Sequence, residues 1–213
     1  MVFSAINSLD FWLSLVAVVA AIVALFQTNT QIKLSNKQQL FNRRLEKYLL
    51  IKELLSLYSE NRNLIIHTDS ICESVKFIFT WLTNSSTLEA MCLAMKNPLK
   101  HEEQKIFLTK CEMLEKSAME IELIWRGKVA HIMGHFVRQY KELLQAMYRQ
   151  QIMLDSLHDE KEKEPIPLEI AQKQIRENAE NFGLFSSVDG IEKTYQKIIN
   201  MNAEEYLKRS MKL

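Results

Sequence analysis

Two arginine–histidine pairs are the residues best suited to chemistry in this chain. Arg126 is followed five positions later by His131. Arg62 is followed at the same distance by His67, with Asn63 directly after the arginine. Such a pair suits metal-free cleavage of RNA, because a histidine can transfer protons at the ribose 2′-hydroxyl while an arginine stabilises charge on the phosphate. Arg126 and His131 are therefore the first catalytic candidates, and Arg62, Asn63 and His67 are the second.

The helix that would carry each pair sets a condition on this chemistry. Residues five apart on a regular α-helix point about 140° away from each other. The two side chains therefore meet only where the arginine lies at an irregular helix start, which Gly127 and the stretch 61–63 would permit. The alternative, a purely structural role for these residues, stays open.

Other chemistry has less support. His131 and His135 are four residues apart and would share a helix face, but a metal site needs further ligands and none is close in the sequence. Phosphate-binding glycine loops, zinc-protease motifs and hydrolase elbows are absent. The sequence predicts neither a metal site nor a cofactor.

Composition limits the elements that must position these residues. The chain has 213 residues, 47% of them hydrophobic, with 4 Gly, 3 Pro, 3 Cys and a net charge of +1. These values exclude a disordered chain, a glycine-rich α/β fold, a disulfide scaffold and a strongly basic nucleic-acid binder. They predict an all-α protein with one folded body and an appendage.

The appendage is the apolar stretch from residue 11 to residue 26, which contains no charged residue, Gly or Pro. Its sixteen residues extend about 24 Å as a helix, slightly less than the roughly 30 Å hydrocarbon core of a bilayer. Phe11, Trp12 and Phe26 lie at its ends, as in an aromatic belt. We expect a transmembrane helix; a cleaved signal peptide and a buried core helix are the alternatives.

Charge around this stretch predicts its orientation. Asp10 is the sole charged residue before it, whereas the residues after it include Lys33, Lys37, Arg43, Arg44 and Lys47. The positive-inside rule then predicts a single-pass protein of a bacterial inner membrane, with its N-terminus outside and its folded body in the cytoplasm. Three cysteines without a disulfide pattern suit that reducing compartment.

Small side chains recur along one face of the expected span. They are Ser14, Ala17, Ala20, Ala21 and Ala24. Small residues at three- and four-residue spacing let transmembrane helices approach closely, so this face predicts self-association. The alternative is that alanine is simply common in membrane helices.

Helical periodicity continues through the remainder, and no strand pattern or repeat is present. We expect a membrane helix with short flanks over 1–30, a cytoplasmic helical bundle over 31–158, a charged linker over 159–167 and a C-terminal helical pair over 168–213. The first helix is expected to continue to about Asn61. Further helices are expected over 69–82, 101–157 (with possible kinks at Gly127 and Gly134), 168–181 and 188–211.

The segment Leu40-Phe-Asn-Arg-Arg-Leu-Glu-Lys-Tyr48, directly after a short span and a basic stretch, resembles small bacterial single-span membrane proteins with a helical bundle. Within that group the chain resembles the HEPN-like membrane accessory protein of type VI-B CRISPR loci. Asn42 stands where the group usually has Asp. The resemblance covers residues 9–60. It implies an oligomeric membrane pore that supports antiviral defence, and it places the HEPN motif on Arg126 and His131 or on Arg62 and His67.

Three functions are therefore expected in this order. The first is a homo-oligomeric pore that permeabilises or depolarises the membrane alongside an RNA-guided ribonuclease effector. The second is a membrane-tethered, metal-independent ribonuclease acting on RNA. The third is an adaptor that holds a soluble partner at the lipid bilayer.

Overall fold

The computed structural model describes residues 2–66, 68–163 and 167–211. Within these ranges the chain forms nine α-helices, a single short 3-10 helix at Glu89–Met91, and no strand. The helices are α1 Val2–Ile66, α2 Thr68–Glu73, α3 Val75–Leu82, α4 Cys92–Lys96, α5 His101–Ile124, α6 Lys128–Lys163, α7 Leu168–Asn181, α8 Leu184–Asn200 and α9 Ala203–Ser210. The all-α fold class predicted from the sequence is confirmed.

The chain divides into two units whose boundary lies within α1, between Arg43 and Arg44. The sequence analysis placed this boundary after residue 30, because the composition turns polar there. Every residue from 12 to 40 is exposed, however. The first buried residues after them are Lys47 and Tyr48. In the first unit we call residues 12–26 the apolar segment and residues 27–43 the polar segment.

The second unit has a single core. From α1 it takes Ile51, Leu54 and Tyr58, whose three- and four-residue spacing places them on one face of that helix. The helix α6 packs most extensively against α5 and α8. The fully buried Tyr140 of α6 donates its hydroxyl to the backbone oxygen of Leu82 at 2.6 Å, so its polar atom is satisfied inside the core.

The long helical pattern over 101–157 is broken where Gly127 allowed a kink. Trp125 is extended and buried, and Gly127 has φ +95°, a left-handed conformation that favours glycine. Gly134, the other kink predicted, lies inside α6 without interrupting it.

Two other helix breaks escaped the sequence analysis. The helix expected over 69–82 is two helices, α2 and α3, because Ser74 leaves helical geometry between them. The C-terminal pair expected over 168–181 and 188–211 is three helices: the left-handed Gly183 lies between α7 and α8, and the left-handed Asn202 lies between α8 and α9. A left-handed asparagine gives little signal in a sequence.

The charged linker expected from residue 159 begins later. Residues 159–163 continue α6 to Lys163, since Glu and Lys are good helix formers despite their charge. Residues 164–166 lie outside the described ranges, and Pro167 stands directly before α7.

Candidate functional site

The turn between α5 and α6 positions the first catalytic pair. Arg126 lies between the extended Trp125 and the left-handed Gly127, and α6 starts two residues later. His131 is in the first turn of α6, where its backbone N–H donates to the oxygen of Gly127 at 3.3 Å. The structure therefore meets the condition set by the sequence, because the arginine precedes an irregular helix start.

The side chain of His131 faces a carboxylate. Its Nδ1 lies 3.4 Å from Oε1 of Glu122, and 74% of the side chain is exposed. Arg126 is also exposed. In the described part of the chain, neither a hydrogen bond nor an ion pair joins Arg126 to His131. Whether Arg126 and His131 act together on one substrate stays a prediction from the sequence.

Glu122 belongs to a charged network along α5 and α6 that the sequence analysis missed. Arg138 Nη1 donates to Glu122 Oε1 at 2.7 Å, and Arg138 Nε donates to Glu115 at 3.1 Å. Lys141 donates to the second oxygen of Glu115 at 2.5 Å. The hydrogen bond from Arg138 lowers the pKa of Glu122, and that from Lys141 lowers the pKa of Glu115. These are contacts that hold two helices together.

His135 adds no metal site. The rings of His131 and His135 are nearly parallel, with centroids 6.4 Å apart. Among the described residues, there is no group of three or more His, Cys, Asp or Glu side chains that could hold a metal ion. The two histidines therefore lack the further ligands that a metal would need.

Arg62, from the second pair, is held by Glu192 of α8. Its Nε lies 3.0 and 2.9 Å from the two carboxylate oxygens, and its Nη2 lies 2.5 Å from Oε1. The hydroxyl of Tyr58 and the amide of Gln196 donate to the same carboxylate, at 2.8 and 2.9 Å. The hydrogen bond from Arg62 is the main reason that the pKa of Glu192 falls to about 2.

Arg62 has a structural role, because its bidentate ion pair with Glu192 joins α1 to α8 across 130 residues of chain. Asn63 is exposed. His67 lies outside the described residues, so of this pair only Arg62 is described.

The apolar segment is the other candidate, and it is exposed throughout. The most apolar 18-residue window of the helix from Trp12 to Ile66 has a mean hydropathy of 1.9, with none of that window buried. Trp12, Phe26 and the small residues are exposed, as is every side chain between them; the side chain of Phe11 lies outside the described part. The small residues are Ser14, Ala17, Ala20, Ala21 and Ala24. By length and composition, this helix is able to cross a membrane.

The end of the apolar segment is suited to that environment. Thr28 and Thr30 donate their hydroxyls to backbone oxygens of Ala24 and Phe26, at 2.8 and 2.9 Å. Hydroxyls bonded back to their own helix leave no unsatisfied donor at the edge of a bilayer.

Comparison with known proteins identifies no relative of this chain. The chain matches no known family model, and neither a curated protein nor a solved structure matches it at a significant level. The resemblance of residues 9–60 to the CRISPR-associated membrane proteins therefore has no support beyond the residues that suggested it.

Proposed function

We propose that this chain is a single-span membrane protein that self-associates through its apolar segment and permeabilises the membrane. The observation that carries the proposal is the full exposure of residues 12–26 beside a unit with a core of its own. Among the described residues, no side chain of the apolar segment is buried, and a lipid bilayer provides the apolar surroundings that such a helix needs.

The orientation in this proposal follows from charge. Lys33, Lys37 and Arg43 follow the apolar segment, whereas Asp10 alone precedes it, so the positive-inside rule favours a cytoplasmic second unit and an external N-terminus. The three cysteines of that unit form no disulfide within the described part of the chain, which accords with a reducing compartment.

Self-association is supported by the small-residue face of the apolar segment. Ala17, Ala20 and Ala24 are exposed on one side of α1, and close approach of helices through such faces replaces contacts with lipid. A pore surrounded by these helices would have an apolar wall with Ser14 as its polar group. Such a pore gates by dewetting and discriminates poorly among ions.

The wider role that we propose is in antiviral defence, together with an RNA-guided ribonuclease effector. This part of the proposal rests on the resemblance of residues 9–60 alone. A membrane-permeabilising protein would serve such a system by depolarising the infected cell once the effector signals.

The first experiment is the mass of the detergent-solubilised protein by light scattering, with the detergent contribution subtracted. We expect a discrete high-order oligomer. Ala20→Leu with Ala24→Leu should reduce its mass, while Val19→Leu with Ile22→Leu, on the opposite face, should leave it unchanged. A monomeric protein would contradict the pore and favour the adaptor.

The second experiment is membrane depolarisation in cells that express the chain. Removal of residues 1–28 should abolish depolarisation and release the protein from the membrane. Depolarisation that persists in the truncated chain would show that the apolar segment is not the pore. Intact mass of the mature protein separates a retained anchor from a cleaved signal peptide.

The second candidate function is a metal-independent ribonuclease, and the observation that favours it is Arg126 at the irregular start of α6. No hydrogen bond in the described part of the chain joins Arg126 to His131, and under the proposed pore function we expect no RNA cleavage by the purified protein in the presence of a chelator. Cleavage that disappears in both Arg126→Ala and His131→Ala, but persists in the neighbouring His135→Ala, would establish the ribonuclease instead.

A further inference from the structure

The small-residue face of α1 does not stop at the end of the apolar segment. Positions that alternate three and four residues apart form one stripe along the exposed helix. They are Leu13, Ala17, Ala20, Ala24, Gln27, Gln31, Leu34, Gln38 and Phe41. An average step of 3.5 residues is the repeat of a left-handed coiled coil, and the stripe covers about four heptads, which is long enough to specify one.

Leu34 is a large apolar residue on the stripe, beyond the small side chains of the apolar segment. It lies in the polar segment and is 65% exposed. Phe41, one heptad later, is half-buried. The polar segment contains four large apolar side chains: Leu34 and Phe41 lie on the stripe, and Ile32 and Leu40 lie off it. Large apolar side chains a heptad apart, such as Leu34 and Phe41, are typical of core positions in a coiled coil.

The flanking positions are compatible with a second copy of the same segment. In a parallel pair, Thr30 would face Ser35 of the other copy, and Lys37 would face Asn42. These pairs bring no like charges together. Lys33 and Arg43 lie away from the stripe, on the outer side of such a pair.

We propose that the polar segment packs against the same segment of a second copy, as a parallel, in-register coiled coil that continues the contact between the spans. This inference rests on the proposed single-span assembly, because a membrane gives every copy the same orientation and places equal residues at equal depth. Gln27, Gln31 and Gln38 then occupy core positions, where their amides hydrogen bond between copies and fix the register.

The test is oxidative cross-linking of single cysteines introduced into the full chain in membranes. The stripe variants are Gln31→Cys, Leu34→Cys and Gln38→Cys. The matched variants on the outer side are Ile32→Cys, Asn36→Cys and Leu40→Cys, and the unaltered chain gives the background from its own cysteines. We expect dimer yields several-fold higher for the stripe variants than for the outer ones.

Two further variants separate this inference from the proposed function. Ala20→Cys and Ala24→Cys report on the spans. Cross-linking there, with none from residue 31 to residue 38 or with equal yields all around the helix, would overturn the coiled coil and leave the assembly standing. No cross-linking in either segment would overturn both proposals.

A substitution without cysteine provides an independent measurement. Leu34→Gln should lower the oligomer mass or its resistance to dilution in detergent, whereas Leu40→Gln, which removes an exposed leucine from the outer side, should not. Equal effects of the two substitutions would contradict a specific contact through the stripe.

Discussion

The ion pair between Arg62 and Glu192 is a contact that the arginine–histidine spacing in the sequence did not predict. In the sequence, Arg62 suggested catalysis because His67 follows it at a suitable distance. In the structure its guanidinium is bound by a carboxylate 130 positions away, together with the hydroxyl of Tyr58. The spacing of neighbours along a helix is visible in a sequence, whereas a partner on another helix is not. For Arg126 the sequence allowed an irregular helix start, because Gly127 was a possible kink in the expected helix.

The carboxylate of Glu192 should make stability depend on pH in acid. Its folded-state pKa of about 2 is below the ordinary glutamate value of about 4.3. A lowered pKa means that the contribution is complete above the ordinary value and is lost as the pH falls toward the folded-state value. We expect the melting temperature of Glu192→Gln to lie below that of the unaltered chain at neutral pH, with the difference shrinking near pH 2.

Glu205→Gln is the matched control for that measurement. Glu205 pairs with Arg209 one turn later in α9, at 3.1 Å, and both side chains are exposed. Exposed pairs of this kind contribute little, so its melting temperature should follow the unaltered chain at every pH. A difference for Glu192→Gln that stays constant down to the lowest pH would contradict the role of its charge.

Helices in this chain were predicted better than their ends. The composition and the 3.6-residue periodicity predicted an all-α chain, a long first helix and a break near Gly127, since each depends on neighbouring residues. The turn at Asn202 and the break at Ser74 were missed, because neither residue is rare inside helices and their conformations depend on packing. The charged residues 159–163 were wrongly assigned to a linker from their charge alone.

Two glycines inside helices should respond oppositely to alanine. A Cβ on Gly134 would lie 2.9 Å from the backbone oxygen of Ala118 on the facing helix, so α5 and α6 would have to separate. On Gly190 it would meet the side-chain end of Gln139, which is able to rotate away. We expect Gly134→Ala to lower the free energy of unfolding by about 1–3 kcal/mol.

Gly190→Ala should instead be neutral or raise that free energy by up to about 1 kcal/mol, because alanine is the better helix former. Chemical denaturation of the full chain in detergent, followed by circular dichroism, measures both variants. Similar losses of unfolding free energy in Gly134→Ala and Gly190→Ala would show that the close approach of α5 and α6 at Gly134 does not cause the loss in Gly134→Ala.

The division of the chain between Arg43 and Arg44 separates a helical stretch whose residues 12–40 are all exposed from a unit with its own core. The sequence predicted that such an appendage exists, because its apolar stretch is continuous. It placed the boundary too early, since hydropathy reports the end of the apolar stretch and not the start of burial. The proposed topology belongs to the chain as a whole and depends on charges at both ends of that stretch.

Moving those charges should invert the protein in the membrane. Five lysines inserted before Asp10, combined with Lys33→Gln and Lys37→Gln, outnumber the remaining Arg43, Arg44 and Lys47 and so place the positive excess on the other side of the span. We expect a C-terminal tag to become accessible to protease from outside the inner membrane, as the positive-inside rule requires. Lysine insertion with Lys33 and Lys37 unchanged is the control. A tag already accessible in the unaltered chain would contradict the proposed orientation.

The contacts between α1 and the last helices have a consequence during synthesis. Arg44 donates to the backbone oxygen of Ser210, and Tyr48 donates to Glu204, so residues 166 and 156 positions apart must meet. The second unit therefore cannot complete these contacts until residues 204–210 have been synthesised. The apolar segment emerges first and is free to engage the translocation machinery while the body is still a nascent, unfolded polypeptide. In the proposed single-span topology, insertion would therefore precede folding, and assembly between copies would begin from chains that are already anchored.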